Sequence, residues 1–142
     1  MTVAAILGRK GHEVIRLAQD MTVAQAVGLL AERRIGCLPV VADGAVVGIV
    51  SERDIVRALG AEGGGILESP VSRVMTGPVV TIAPDMPVMT ALSLMTQRRI
   101  RHLPVLEKGA MVGFVSIGDL VKYRIDAIEA EAEAMRAYIQ TS

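Results

Sequence analysis

The residues of this 142-residue chain best placed to do chemistry together are Ser51-Glu52-Arg53-Asp54 and Ser116-Ile117-Gly118-Asp119. In each tetrad a hydroxyl precedes a carboxylate by three positions. Each follows an apolar run, Gly48-Ile49-Val50 or Gly113-Phe114-Val115, and leads into residues of helical spacing. Ser-x-x-Asp in that setting is a helix start with Ser as N-cap. A helix N-terminus carries unpaired N–H groups and partial positive charge, which suits an anion. The plain alternative is that each tetrad only caps its helix. Two copies in register weigh against capping alone. No carboxylate pair, metal-spaced His/Cys cluster or Ser-His-Asp set is readable, so no catalytic function is expected.

The tetrads belong to a longer duplication. Residues 14–59 align without a gap on residues 79–124, an offset of 65, and by count about 21 of roughly 46 positions are identical. Arg33-Arg34-Ile35/Arg98-Arg99-Ile100, Leu38-Pro39-Val40/Leu103-Pro104-Val105, Gly44/Gly109 and Gly48/Gly113 are among them. The period is too long for a solenoid and fits two small α/β units sharing one core. A lone unit of about 60 residues would be marginal, so the copies are expected to bury a face against each other.

In each copy the pattern predicts a strand, a helix, a hairpin and a second helix. In the first copy these are a strand at 14–17, a helix at about 23–34 stopped by Gly36, strands at 38–41 and 46–50 around the Asp43-Gly44 turn, and a helix at 51–59. The second copy predicts strands at 79–82, 103–106 and 111–115, a turn at Lys108-Gly109, and helices at 88–99 and from 116. A short helix at 3–7, ended by Gly8 and Gly11, precedes the first copy, and residues 71–75 match it. Residues 60–70, with Gly63-Gly64-Gly65, read as a flexible connection. The last helix runs on past its counterpart. It is rich in Ala and Glu, with Ile125, Ile128, Ala132, Met135 and Ile139 as an apolar stripe. That stripe packs either on its own domain or on another subunit.

Composition narrows the class. Half the residues are apolar, yet there are three aromatics and no Trp, so the core is aliphatic with Met as filler. The formal net charge is zero, which does not favour nucleic acid or an acidic membrane. No apolar run reaches the length of a membrane span, and the start lacks a signal-peptide pattern. The single cysteine, Cys37, cannot form an internal disulfide and is expected to be a small buried apolar residue in a reducing cytoplasm. His12 is expected to be exposed. The paired arginines 33-34 and 98-99 read as helix-end charges.

Taken together, Arg-Ile-x-x-Leu-Pro-Val, the Gly turn, Val-Gly-x-Val-Ser-x-x-Asp and the duplication make the chain resemble a pair of CBS domains, a Bateman module, of the small stand-alone bacterial kind. The resemblance implies an α/β (α+β) fold of two tandem β-α-β-β-α repeats, residues 1–66 and 67–142, packed as a pseudo-twofold pair. It implies two clefts for adenosine ligands: AMP, ADP, ATP, NAD or S-adenosylmethionine. It also implies a homodimer that regulates a protein partner, without catalysis or bound metal. By the same resemblance, Asp54 and Asp119 accept from ribose hydroxyls and Ser51 and Ser116 reach ribose or phosphate. The strands at Val14, Ile15, Arg16 and Val79, Val80, Thr81 line adenine. Arg101 and His102, before Pro104, reach phosphate. The matching first-copy residues, Gly36 and Cys37, carry no charge, and Arg53 faces Gly118 across the alignment, so the clefts are expected to be chemically unequal.

Overall fold

A computed structural model describes residues 1–11 and 14–141; His12, expected to be exposed, lies outside them. The elements are α1 (Val3–Lys10), β1 (Leu17–Ala18), α2 (Val23–Arg33), β2 (Cys37–Ala42), β3 (Ala45–Ser51), α3 (Glu52–Glu62), two 3₁₀ turns (Gly64–Glu68 and Val71–Arg73), α4 (Val88–Arg98), β4 (His102–Glu107), β5 (Ala110–Ser116) and α5 (Ile117–Thr141). This is the α/β architecture of two repeats that the duplication predicts.

Each repeat is built around its hairpin. Asp43-Gly44 and Lys108-Gly109 all take positive φ, 50° and 79°, then 52° and 80°, the geometry of a two-residue turn that matches strand twist. The hairpins β2–β3 and β4–β5 share a register shift at equivalent places, beside Val40 and Val105. Helix α2 opens on a capping box: Gln25 N donates to Thr22 Oγ1 at 3.1 Å and Thr22 N donates to Gln25 Oε1 at 2.9 Å.

Several local expectations are corrected. The first strand of each copy is shorter than predicted. Only Leu17 and Ala18 pair, in parallel, with Val40 and Val41. In the second copy the ladder shrinks to a single bridge, Ile82 to Val105, because Pro78 and Pro84 frame the segment and lack N–H groups. Helices α2 and α4 stop at Arg34 and Arg99, held left-handed at φ 53° and 56°, so Gly36 is not the stop. Helix α1 runs through Gly8 and ends at Gly11. The stretch at 60–70 is not a loose connection. Helix α3 passes through Gly60 to Glu62, and Ile66 is only 2% exposed, because Ile66 and Leu67 are apolar anchors.

The packing does not follow the division of the sequence near residue 66. Val3, Ile6 and Leu7 of α1 sit in the core of the second repeat with Val88, Met95, Leu103, Val115 and Leu120. Val71, Val74 and Met75 pack instead with Leu17, Leu38, Val40 and Val50 of the first. Backbone bonds seat the exchange: Val3 N donates to Met86 O at 2.9 Å and Val71 N to Met21 O at 2.7 Å. Each hairpin glycine makes room for the incoming segment. A methyl on Gly113 would collide with Leu7, and one on Gly48 with Met75. The two repeats therefore exchange lead-in segments, and α1 carries Lys10 to the second repeat.

Candidate functional site

Both Ser-x-x-Asp tetrads close capping boxes. Asp54 N donates to Ser51 Oγ at 3.2 Å and Ser51 N to Asp54 Oδ2 at 2.9 Å; the Ser116–Asp119 bonds are 3.1 and 2.9 Å. The first helical N–H groups are also taken, Glu52 N by Gly36 O at 3.0 Å and Ile117 N by Arg101 O at 2.8 Å. This corrects the expectation that the helix N-termini offer open donors to an anion. Three N–H donors at each helix start are satisfied by the protein, so a phosphate would depend mainly on side chains.

The carboxylates face two different clefts, and the repeats cross in forming them. Asp119 and Ser116 lie with Val14, Ile15, Gly36, Cys37 and Pro39 of the first repeat, and with His102 and Phe114, around about 470 Å³. Asp54 and Ser51 lie with Val79, Val80, Ile100 and Arg101 of the second repeat, and with Ile49 and Thr76, around about 260 Å³. Of the residues marked by sequence, Arg101 thus joins Asp54 rather than Asp119, Arg53 shares that cleft, and His102 lines both clefts. Arg16 and Thr81 are exposed and line neither cleft. Pro104 is buried in β4 and lines neither, although its counterpart Pro39 does.

Charge separates the clefts further. Around Asp54 stand Arg53, Arg57, Arg99 and Arg101. Arg57 follows Arg53 by one turn of α3, a spacing legible in sequence but not singled out there. Arg99, read as a helix-end charge, is both the left-handed cap of α4 and a cleft residue. The neutral hydroxyl of Thr76 donates to Asp54 Oδ1 at 3.1 Å. Around Asp119 the corresponding contact is a cation. Lys10 Nζ donates to Asp119 Oδ2 at 2.6 Å and to Phe114 O at 2.8 Å. Nothing in the repeat pattern marks Lys10, which precedes both copies.

Titration follows this geometry. Burial by itself would raise the Asp119 pKa, but the Lys10 hydrogen bond, the Ser116 N–H and the Lys10 charge outweigh it and hold the carboxyl below its usual range. His102 stacks on Phe114, centroids 5.6 Å apart. Burial, with the Lys10 and Arg101 charges, depresses its pKa against the pull of Asp119. His102 is thus neutral at neutral pH, and the second positive charge it can add as pH falls arrives only on stronger acidification. Burial, then the Asp54 charge, pushes the Cys37 thiol up to about 12, so it stays protonated and unreactive.

Lys10→Ala should therefore raise the Asp119 pKa, because the Lys10 hydrogen bond and charge that help hold it down are removed while the Ser116 bonds remain. The sign is that of a depressed carboxyl: the stability it contributes is present above the unfolded pKa and lost as pH falls through the folded one. Carbon-detected NMR titration should find the Asp119 carboxyl titrating at higher pH in Lys10→Ala than in the wild type. An unchanged midpoint would mean the ion pair does not persist in solution.

The family model for the CBS domain matches residues 9–61 and 71–126. A CBS-domain protein of Arabidopsis thaliana, described as CBSX3, mitochondrial, is 34% identical over 148 residues, covering 98% of this chain and 72% of that protein. The crystal structure of a CBS-domain protein from Agrobacterium tumefaciens superposes with a TM-score of 0.82 at 40% identity, covering 87% of this chain and 92% of that one. A CBS-domain pair solved with 5-methylthioadenosine and S-adenosyl-L-methionine superposes with a TM-score of 0.76 at 26% identity, covering 87% and 98%. The chain belongs to the CBS-domain family and consists of a CBS pair. Pairs of this kind are regulatory modules, and among the described residues no helix is long and apolar enough to cross a membrane.

Proposed function

We propose that this chain is a regulatory module that binds an adenine nucleotide in the Asp54 cleft. The observation that carries it is the pairing, in one cleft, of four arginines with a carboxylate that no lysine contacts among the described residues. The carboxylate suits the vicinal ribose hydroxyls. Val79, Val80 and Ile100 offer an apolar wall to adenine, and the guanidinium forks suit phosphate oxygens. This favours AMP, ADP, ATP or NAD over S-adenosylmethionine, whose sulfonium cation would meet the same arginines. The Asp119 cleft, whose carboxylate is already held by Lys10, is the poorer nucleotide site. The lone buried thiol suits a cytoplasmic setting. We take the module to act as a homodimer on a protein partner whose identity the surface does not name.

A second reading is an interaction module whose clefts are vestigial. The Lys10–Asp119 pair favours it, since an internal cation already occupies one ribose-type carboxylate. Thermal unfolding with adenosine, AMP, ADP, ATP, NAD and S-adenosylmethionine separates the two. A ligand at about 100 times its dissociation constant should stabilise the fold by about 2.7 kcal/mol. Phosphate-bearing ligands are expected to shift the midpoint and S-adenosylmethionine to shift it less. No shift from any of them would leave the interaction reading standing.

A further inference from the structure

We propose that the projecting end of α5 is one strand of a parallel, in-register two-stranded coiled coil formed with a second copy of this chain. The proposal rests on the self-association in the reading above and is independent of nucleotide binding. Helix α5 is held to the body by buried Leu120 and half-buried Tyr123 and Ala127. Every residue from 128 to 141 is exposed. An exposed helix end of that length is marginal in water by itself.

The exposed apolar residues are not scattered. Val121, Ile125, Ile128, Ala132, Met135 and Ile139 alternate at spacings of four and three, the seam of a heptad repeat rather than the broader face of a helix packed on its own domain. Ile128 is 48% exposed and Met135 61%. At about 100° per residue the seam lies roughly a quarter-turn from the face of Leu120 and Ala127, so the body does not cover it.

Charge selects the occupant and its direction. With Ile125 and Ala132 at the first core position, Arg124 and Glu131 precede the core and Glu129 and Arg136 follow it. A parallel, in-register second copy sets Arg124 against the partner's Glu129 and Glu131 against the partner's Arg136, each attractive and each occurring twice. An antiparallel copy with the same core layers sets Glu129 and Glu131 against themselves and Lys122 against Arg136, all repulsive. Arg136 also meets Glu133 of its own helix at 3.4 Å, an exposed pair that competes little.

The test uses the full chain and light scattering over a concentration series. Wild type should be a dimer, and Ile128→Asp should be a monomer that still unfolds cooperatively. Glu131→Arg and Arg136→Glu should each weaken association about tenfold, and the two together should restore it, since each pair goes from attraction to repulsion and back. Met135→Cys should oxidise to a dimer through identical positions. If Ile128→Asp stays dimeric, another face holds the copies together; the seam proposal falls while self-association stands. If the single charge changes have no effect, or there is no cross-link, the parallel arrangement falls. A monomeric wild type overturns both.

Discussion

The double change Arg101→Ala plus His102→Ala is expected to weaken AMP and ATP by about 10- to 100-fold and adenosine by less than about threefold. The first range is the loss of one hydrogen bond to a charged group, about 1.5–3 kcal/mol, at about 1.4 kcal/mol per tenfold. Arg101 carries most of it. Its guanidinium is a permanent planar donor in the Asp54 cleft, whereas burial and the Lys10 and Arg101 charges keep His102 neutral at pH 7. Arg53, Arg57 and Arg99 remain, so binding should be reduced rather than abolished. The fold should hold, because Arg101 is exposed and its backbone carbonyl, not its side chain, caps α5. Calorimetry of both ligands against both proteins decides the point. Equal losses for adenosine and AMP would mean that these residues shape the pocket without contacting phosphate.

Leu7→Ala is expected to destabilise the protein by about 2–5 kcal/mol, the usual range for emptying a buried leucine site. Leu7 is 1% exposed and lies in the core of the second repeat, over the bare backbone of Gly113. The cavity would be hard to fill, since that glycine has no side chain to move in. Val56→Ala is the control: Val56 is 66% exposed, and its loss should cost within about 0.5 kcal/mol. Urea unfolding of the three proteins measures both values. A cost for Leu7→Ala as small as the control's would show that α1 does not belong to the second core. The same swap implies a functional consequence. Helix α1 also carries Lys10 to Asp119, so the same element supplies both core packing and the ion pair of the second cleft.

Much of this protein is local, and what is local was readable in the sequence. Asp43-Gly44 and Lys108-Gly109 specify their turns because the glycine at the second turn position takes positive φ without a Cβ clash. Ser51-x-x-Asp54 and Ser116-x-x-Asp119 specify their helix starts because cap and carboxylate lie within one turn. The duplication fixed the order of elements and the presence of two equivalent carboxylates. Residues 60–70 misled, because their glycines outnumber the two apolar anchors that tie the segment down. The match between carboxylate and arginines depended on tertiary packing. Periodicity places Arg101 and Asp119 in the same copy, but the near-twofold crossing of the repeats brings Arg101 to Asp54 and leaves Asp119 with Gly36 and Cys37. The exchange of lead-in segments then carries Lys10 across more than a hundred residues to Asp119. Hydrophobic burial drives that exchange without regard to sequence distance, so no spacing along the chain records which of two equal carboxylates receives the lysine and which meets the neutral hydroxyl of Thr76.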